Sequence, residues 1–139
     1  MGQEVGNAAV LAPDEAAEYD FREGCRILEL ANSAADPALS IARARVPAGT
    51  TTRWHRLKGT SERYVILSGQ GRVEVGDLPP TSVGPGAVVQ IPPLCRQRIT
   101  ATGPDELVFL ALCTPRFRPE CYEDLGAERG AVNEPAGGG

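Results

Sequence analysis

Residues 47–71 read PAGTTTRWHRLKGTSERYVILSGQG, and the fold turns on this stretch. It holds the only histidine of the 139 residues, His55. Thr51 to Leu57 alternates as a strand does, and a period of two puts Arg53, His55 and Leu57 on one face. Lys58 to Ser61 contains Gly59 and has turn chemistry. Glu62 then opens ERYVIL, a run of strong β-formers in which Glu62, Tyr64 and Ile66 share a face. Gly69-Gln70-Gly71 closes the second strand. A hairpin of this kind brings His55 beside Glu62, and an imidazole facing a carboxylate is a metal-site geometry.

Working outward, Ser40 to Val46 alternates, with Ala42, Ala44 and Val46 on one face and Arg43 and Arg45 on the other. Cys25 to Leu30, Arg72 to Val75, Ala87 to Ile91 and Cys95 to Ile99 read as further short strands. In the last of these, Cys95, Gln97 and Ile99 share a face. Leu107 to Cys113 is a continuous apolar run and reads as a strand buried on both sides. The 16 glycines and 12 prolines supply the turns between strands, so the class is all-β.

The spacing resembles the first motif of the cupin superfamily: Gly, five residues, His-x-His, three or four residues, Glu, six residues, Gly. Gly49, His55, Glu62 and Gly69 fall on it, with Leu57 at the second histidine. The second cupin motif is Gly, five residues, Pro-x-Gly, two residues, His, three residues, Asn. Gly86 and Pro92 match it, while Leu94, Gln97 and Ala101 stand at its Gly, His and Asn positions. The resemblance covers roughly residues 38–125. It is to small single-domain bacterial cupins, with degenerate metal-ligand motifs. It implies a double-stranded β-helix, or jelly-roll, barrel with a pocket inside.

The resemblance also implies a site. His55, Glu62 and Gln97 occupy three of the four family ligand positions, and Leu57 makes the fourth an apolar wall. The three either hold a divalent metal (Zn, Ni, Fe or Cu) with water, or close into a hydrogen-bonded triad. Arg53, Leu57, Tyr64, Cys95 and Ile99 complete the pocket in this reading. Tyr64 and Arg53 would orient a substrate anion, or else pack across strands and face solvent. Cys95 would lend a thiolate, or else serve as a small buried hydrophobe. Trp54 points away from the His55 face, into the core behind the strand or a dimer contact. Phe117 and Tyr122 pack back on the barrel, with a short helical turn near Tyr122.

Two functional classes follow. One is a small-molecule-binding barrel with a reduced His/Glu/Gln site. The other is a metal-dependent cupin enzyme of dioxygenase, isomerase or lyase type. Leu57 and Gln97 favour the first.

Length sets one barrel, residues 25–125, after a partly ordered arm (1–24) and before a flexible tail (126–139). A net charge of −4 and a pI near 5.0 argue against nucleic acid or an anionic membrane as partner. No apolar run reaches membrane-spanning length, and the N-terminus lacks a secretory pattern, so the expected location is the cytoplasm. The four cysteines are then reduced thiols, and no CxxC pair suggests a zinc ribbon. Val65 and Leu67 add an apolar face opposite Tyr64 and Ile66, which points to a homodimer.

Overall fold

The structure, a computed structural model, describes residues 8–22 and 24–126. The described residues form strands β1 (Tyr19–Phe21), β2 (Cys25–Ala31), β3 (Ser40–Val46), β4 (Trp54–Leu57), β5 (Ser61–Ser68) and β6 (Gly71–Val75). There follow β7 (Thr81–Val83), β8 (Val88–Ile91), β9 (Gln97–Ala101), β10 (Leu107–Thr114) and β11 (Tyr122–Gly126). One sheet runs β1-β2-β3-β10-β5-β8 and the other β11-β4-β9-β6-β7, and neighbouring strands among the described residues are antiparallel. The two sheets make the all-β double-stranded β-helix that the motif spacing implies.

The period-two patterns place the side chains. On β5, Glu62, Tyr64 and Ile66 are buried, while Arg63 and Val65 are half-buried on the outer side. On β3, Ala44 and Val46 face in, and Arg43 and Arg45 face out. Phe109, Ile66, Leu107, Ile99 and Val46 are among the most deeply buried apolar side chains between the sheets.

Several expectations are corrected. β10 is not buried on both faces: Val108, Leu110 and Leu112 are only half-covered, because just one side of a sheet at the barrel wall meets the core. β9 starts at Gln97, not Cys95, because Leu94 takes a left-handed φ of 65° and turns the chain before the strand begins. β4 starts at Trp54, so Arg53 lies ahead of the strand whose alternation was to aim it.

The ends are also informative. Tyr19–Phe21, in the stretch expected to be an arm, pairs with Cys25–Ile27 as an edge strand. Just before it, Asp14 caps a single 3₁₀ turn, accepting from the Ala16 amide at 3.2 Å. Glu15 and Glu18 then reach Arg43, at 2.8 and 3.1 Å, and Glu18 reaches Arg45 at 2.9 Å. These hydrogen bonds hold both carboxyl groups below their ordinary range. The stretch thus lies across the outer face of β3. The tail expected from 126 onward falls, beyond Gly126, outside the described residues. None of the described helices is long and apolar enough to cross a membrane.

Candidate functional site

Between the sheets lies a cavity whose existence depends on small side chains. Ala42 and Ala44 on β3 and Ala111 on β10 line it, and the register sets Ala42 opposite Ala111 and Ala44 opposite Phe109. Larger residues at these inward positions would fill the space. The accessible volume is about 50 Å³, room for a few waters at about 10–15 Å³ each. Most of the wall is apolar; the polar groups that enter it include His55, Glu62 and Tyr64.

β4 carries His55 and Leu57 into this cavity, two residues apart on one face. His55 is 3% exposed, and its Nδ1 lies 2.9 Å from the Arg53 carbonyl oxygen. A carbonyl only accepts, so Nδ1 carries a proton in either charge state, and Nε2 is the nitrogen that gains or loses one. Tyr122 of β11 stacks on the imidazole, with ring centres 5.1 Å apart and planes 18° from parallel. Phe21 meets Tyr122 edge-on at 5.1 Å. The ring of His55 is therefore fixed at its backbone end and on one face.

Glu62 comes from β5 in the opposite sheet and is also buried. The register puts it beside Cys113 of β10. Burial, and then the Glu62 charge, push the Cys113 thiol far above its usual range, so it stays protonated at neutral pH. Gln97 is opposite His55 in the β4–β9 register and 1% exposed. Its Oε1 accepts from the Tyr64 hydroxyl. Gln97 thus sits behind Tyr64 rather than on the cavity wall, and its Nε2 has no hydrogen-bond partner among the described residues.

The remaining expected residues divide. Leu57 and Tyr64 line the cavity. Ile99 is buried in the main core beside it. Arg53 does not line it: the guanidinium pairs with Asp124 at 3.1 Å on the outer side, and only its carbonyl serves the site. Cys95 does not line it either. Its sulfur lies against Gly76, where a Cβ would approach to 2.9 Å, and burial raises its pKa. Trp54 faces away from His55, as its parity requires, and is covered by the guanidinium groups of Arg96 and Arg98 at 4.5 and 4.3 Å.

Tyr122, Phe117, Phe21, Glu29 and Cys113 also line the cavity and had no part in the expected site. The signal for Tyr122 and Phe117 was only that they return to the barrel. That Tyr122 starts a strand beside β4 depends on a pairing 65 residues apart, Tyr122 with Leu57.

The donor set fits a metal poorly. Among the described residues no group of three His, Cys, Asp or Glu side chains is placed to hold an ion. Leu57 offers nothing, Cys113 is protonated, and the Gln97 oxygen already accepts from Tyr64. What the cavity offers is an imidazole and a carboxylate from opposing sheets, inside apolar walls.

The model of the cupin domain family matches residues 42–113. Among curated proteins no significant sequence match was found. Solved structures share the fold. A nucleoside dehydratase from Streptomyces, PAC13, solved with uridine, is similar at a TM-score of 0.69 and 16% identity, covering 86% of this chain and 93% of that one. KdgF from Halomonas sp. is similar at a TM-score of 0.69 and 20% identity, covering 82% and 98%. An oxalate decarboxylase is similar at a TM-score of 0.65 and 21% identity, covering 74% of this chain and 28% of that one. At these identities the likeness is one of fold.

Proposed function

The chain belongs to the cupin domain family, and we propose that it binds a small organic molecule in the barrel, with His55 and Glu62 as the polar groups that meet it. The observation that carries this reading is their entry, from opposite sheets, into one mostly apolar cavity. Binding sites are built this way, with few polar groups fixing orientation and apolar walls supplying contact. A thermal-shift screen of small metabolites tests it, run on the wild type and on Ala111→Leu. Ala111 lines the cavity opposite Tyr64 and Ala42. A ligand at about a hundred times its Kd stabilises by about 2.7 kcal/mol. The same ligand should lose its effect on Ala111→Leu. Shifts that persist in that variant place the ligand elsewhere and end the proposal.

A second reading is enzymatic, and one observation favours it over the metal-dependent form. The Nδ1 bond to the Arg53 carbonyl commits His55 to exchanging its proton at Nε2. An imidazole so fixed, with a carboxylate entering the same cavity from the opposite sheet, can move a proton in an isomerase- or lyase-type step without a metal. A dehydratase among the structural neighbours is compatible with such chemistry. His55→Gln can keep a donor for the Arg53 carbonyl but loses the titrating nitrogen. On a turned-over ligand from the screen, it should cut kcat by about 10²–10⁴ while the ligand-induced thermal shift remains. Unchanged turnover would remove His55 from the chemistry.

The protein is also proposed to pair with itself. Leu67 and Val88 are 47% and 57% exposed on the neighbouring strands β5 and β8, and Val65 faces Val88 in the register. Sedimentation at micromolar concentration should show a dimer that Leu67→Lys weakens. A monomer at that concentration would reject the pairing.

A further inference from the structure

A second and wider space, of about 450 Å³, adjoins the cavity. The two share Tyr19, Phe21, Glu29 and Phe117 as walls, so the narrow slot opens into a vestibule. Arg22 and Arg116 line the vestibule and not the slot.

Among the described residues neither arginine has a carboxylate within 4 Å; the Asp124 pKa is lowered first by the Gly126 amide and last by the Arg22 charge, but that carboxylate makes its ion pair with Arg53. Elsewhere Arg43 and Arg45 meet Glu15 and Glu18, Arg53 meets Asp124, Arg56 meets Glu123 and Arg98 meets Glu74. Arg63, Arg72 and Arg96 also lack such a pair, but none of them lines the slot or the vestibule.

Both vestibule arginines are held in place by other means. The Arg22 guanidinium carbon lies 4.5 Å from the centre of the Tyr122 ring and 5.7 Å from that of Phe21. Lying over a ring leaves the in-plane N–H groups of a guanidinium directed outward. Arg116 Nη1 donates to Asn32 Oδ1 at 2.9 Å, and Asn32 Nδ2 donates to the Phe117 carbonyl at 2.9 Å. That bond uses one of the five N–H donors of Arg116. Glu29 stands on the same wall, accepting from the Tyr19 hydroxyl and from Asn32 at 3.3 Å each. Its charge repels an anion, which must therefore lie toward the arginines.

We propose that the vestibule is a recognition subsite for a small organic anion, whose carboxylate or phosphate is held by Arg22 and Arg116. The body of the molecule then lies against Phe21 and Phe117, and its other end enters the slot toward His55 and Glu62. Arg22 rests on the Tyr122 ring that itself stacks on His55, so anion and imidazole are linked through one side chain. This deepens the reading of a barrel-bound ligand and rests on it for the inner end only.

Calorimetry on the full chain at low salt tests it with benzoate, phenyl phosphate and benzamide. Benzamide has nearly the shape of benzoate without the charge. The anions should bind about tenfold or more tightly than benzamide, since charge-assisted bonds to arginine are the stronger ones. The tighter of the two anions tells carboxylate from phosphate. Arg22→Gln/Arg116→Gln should bring benzoate and benzamide to equal affinity, and Arg22→Lys/Arg116→Lys should keep part of the preference. The melting temperature of each variant without ligand checks that it folds. Equal affinities in the wild type overturn the subsite, and so does a preference that survives the glutamines. Absence of anion binding up to about 10 mM overturns it too. Ala111→Leu separates the two proposals. If it leaves the anion preference while screened ligands also ignore it, the barrel reading fails and the subsite stands.

Discussion

Gly69→Ala is expected to destabilise the fold by roughly 3 kcal/mol or more. Gly69 closes the first motif and has a φ of +85°. An added Cβ would come within 2.4 Å of the Glu106 carbonyl oxygen and 2.9 Å of the Leu107 Cα, both backbone atoms. Leu107 is fully buried and begins β10, which is paired on both sides by β3 and β5. Neither neighbour can move without shifting the central strand of its sheet. Gly86, from the second motif, is the control. Its φ is +93°, yet nothing lies within 4 Å of a Cβ there. Gly86→Ala should cost only the backbone strain, about 1 kcal/mol. For a domain of this size the gap corresponds to roughly 10 °C in melting temperature. Equal losses for the two variants would mean that the close approach to β10 is not what fixes Gly69.

The two glycines also show why the fold was readable. Motif spacing survives in this chain because barrel register survives: each matched glycine sits at a turn with positive φ, and each matched polar position sits on an inward face. Ser40–Val46 was legible to the residue, since its alternation is clean and Pro47 follows it. Where period-two counting began outside a strand it failed. Arg53 stands before β4, and Cys95 ends the turn closed by its amide on the Pro92 carbonyl, ahead of β9, so neither inherits the parity of His55 or Gln97.

The site was legible only in part, for a different reason. His55 and Leu57 lie on β4 and Glu62 and Tyr64 on β5; these strands are not the expected hairpin but lie in different sheets, and alternation within each turns the four side chains into one cavity. The rest of the lining is made by contacts far apart in the chain. Tyr122 reaches His55 through the β11–β4 pairing, and Phe21 reaches Tyr122 from an edge strand of three residues. Short polar segments such as YEDLG carry no periodic signal for either. The cavity itself is a matter of volume: Ala42, Ala44 and Ala111 read simply as apolar, and only their register shows that three small side chains face one space.

Volume and donor chemistry meet at Leu57, and Leu57→His is expected to create a metal site where the wild type has a poor one. Leu57 is 3% exposed, shares the cavity wall with His55, and stands at the family's second histidine position. Residues i and i+2 of a strand point the same way, so a second imidazole would join His55 opposite Glu62. That supplies a third strong donor without help from Gln97, whose oxygen stays with Tyr64. The substitution also removes an apolar contact with Cys113 and Tyr122 and buries a polar ring. Without metal the variant should therefore be less stable than the wild type by about 1–3 kcal/mol. Added Zn²⁺ or Ni²⁺ should then raise its melting temperature, by an amount equivalent to about 2.7 kcal/mol at a hundred times Kd. The wild type under the same conditions should move little. An equal rise in the wild type would show that His55 and Glu62 already hold a metal with weaker helpers. No rise in the variant would show that position 57 does not face the carboxylate as the motif alignment requires. The opposite signs of the apo and metal-bound effects make the result hard to mimic by altered packing, since packing alone gives no dependence on metal concentration.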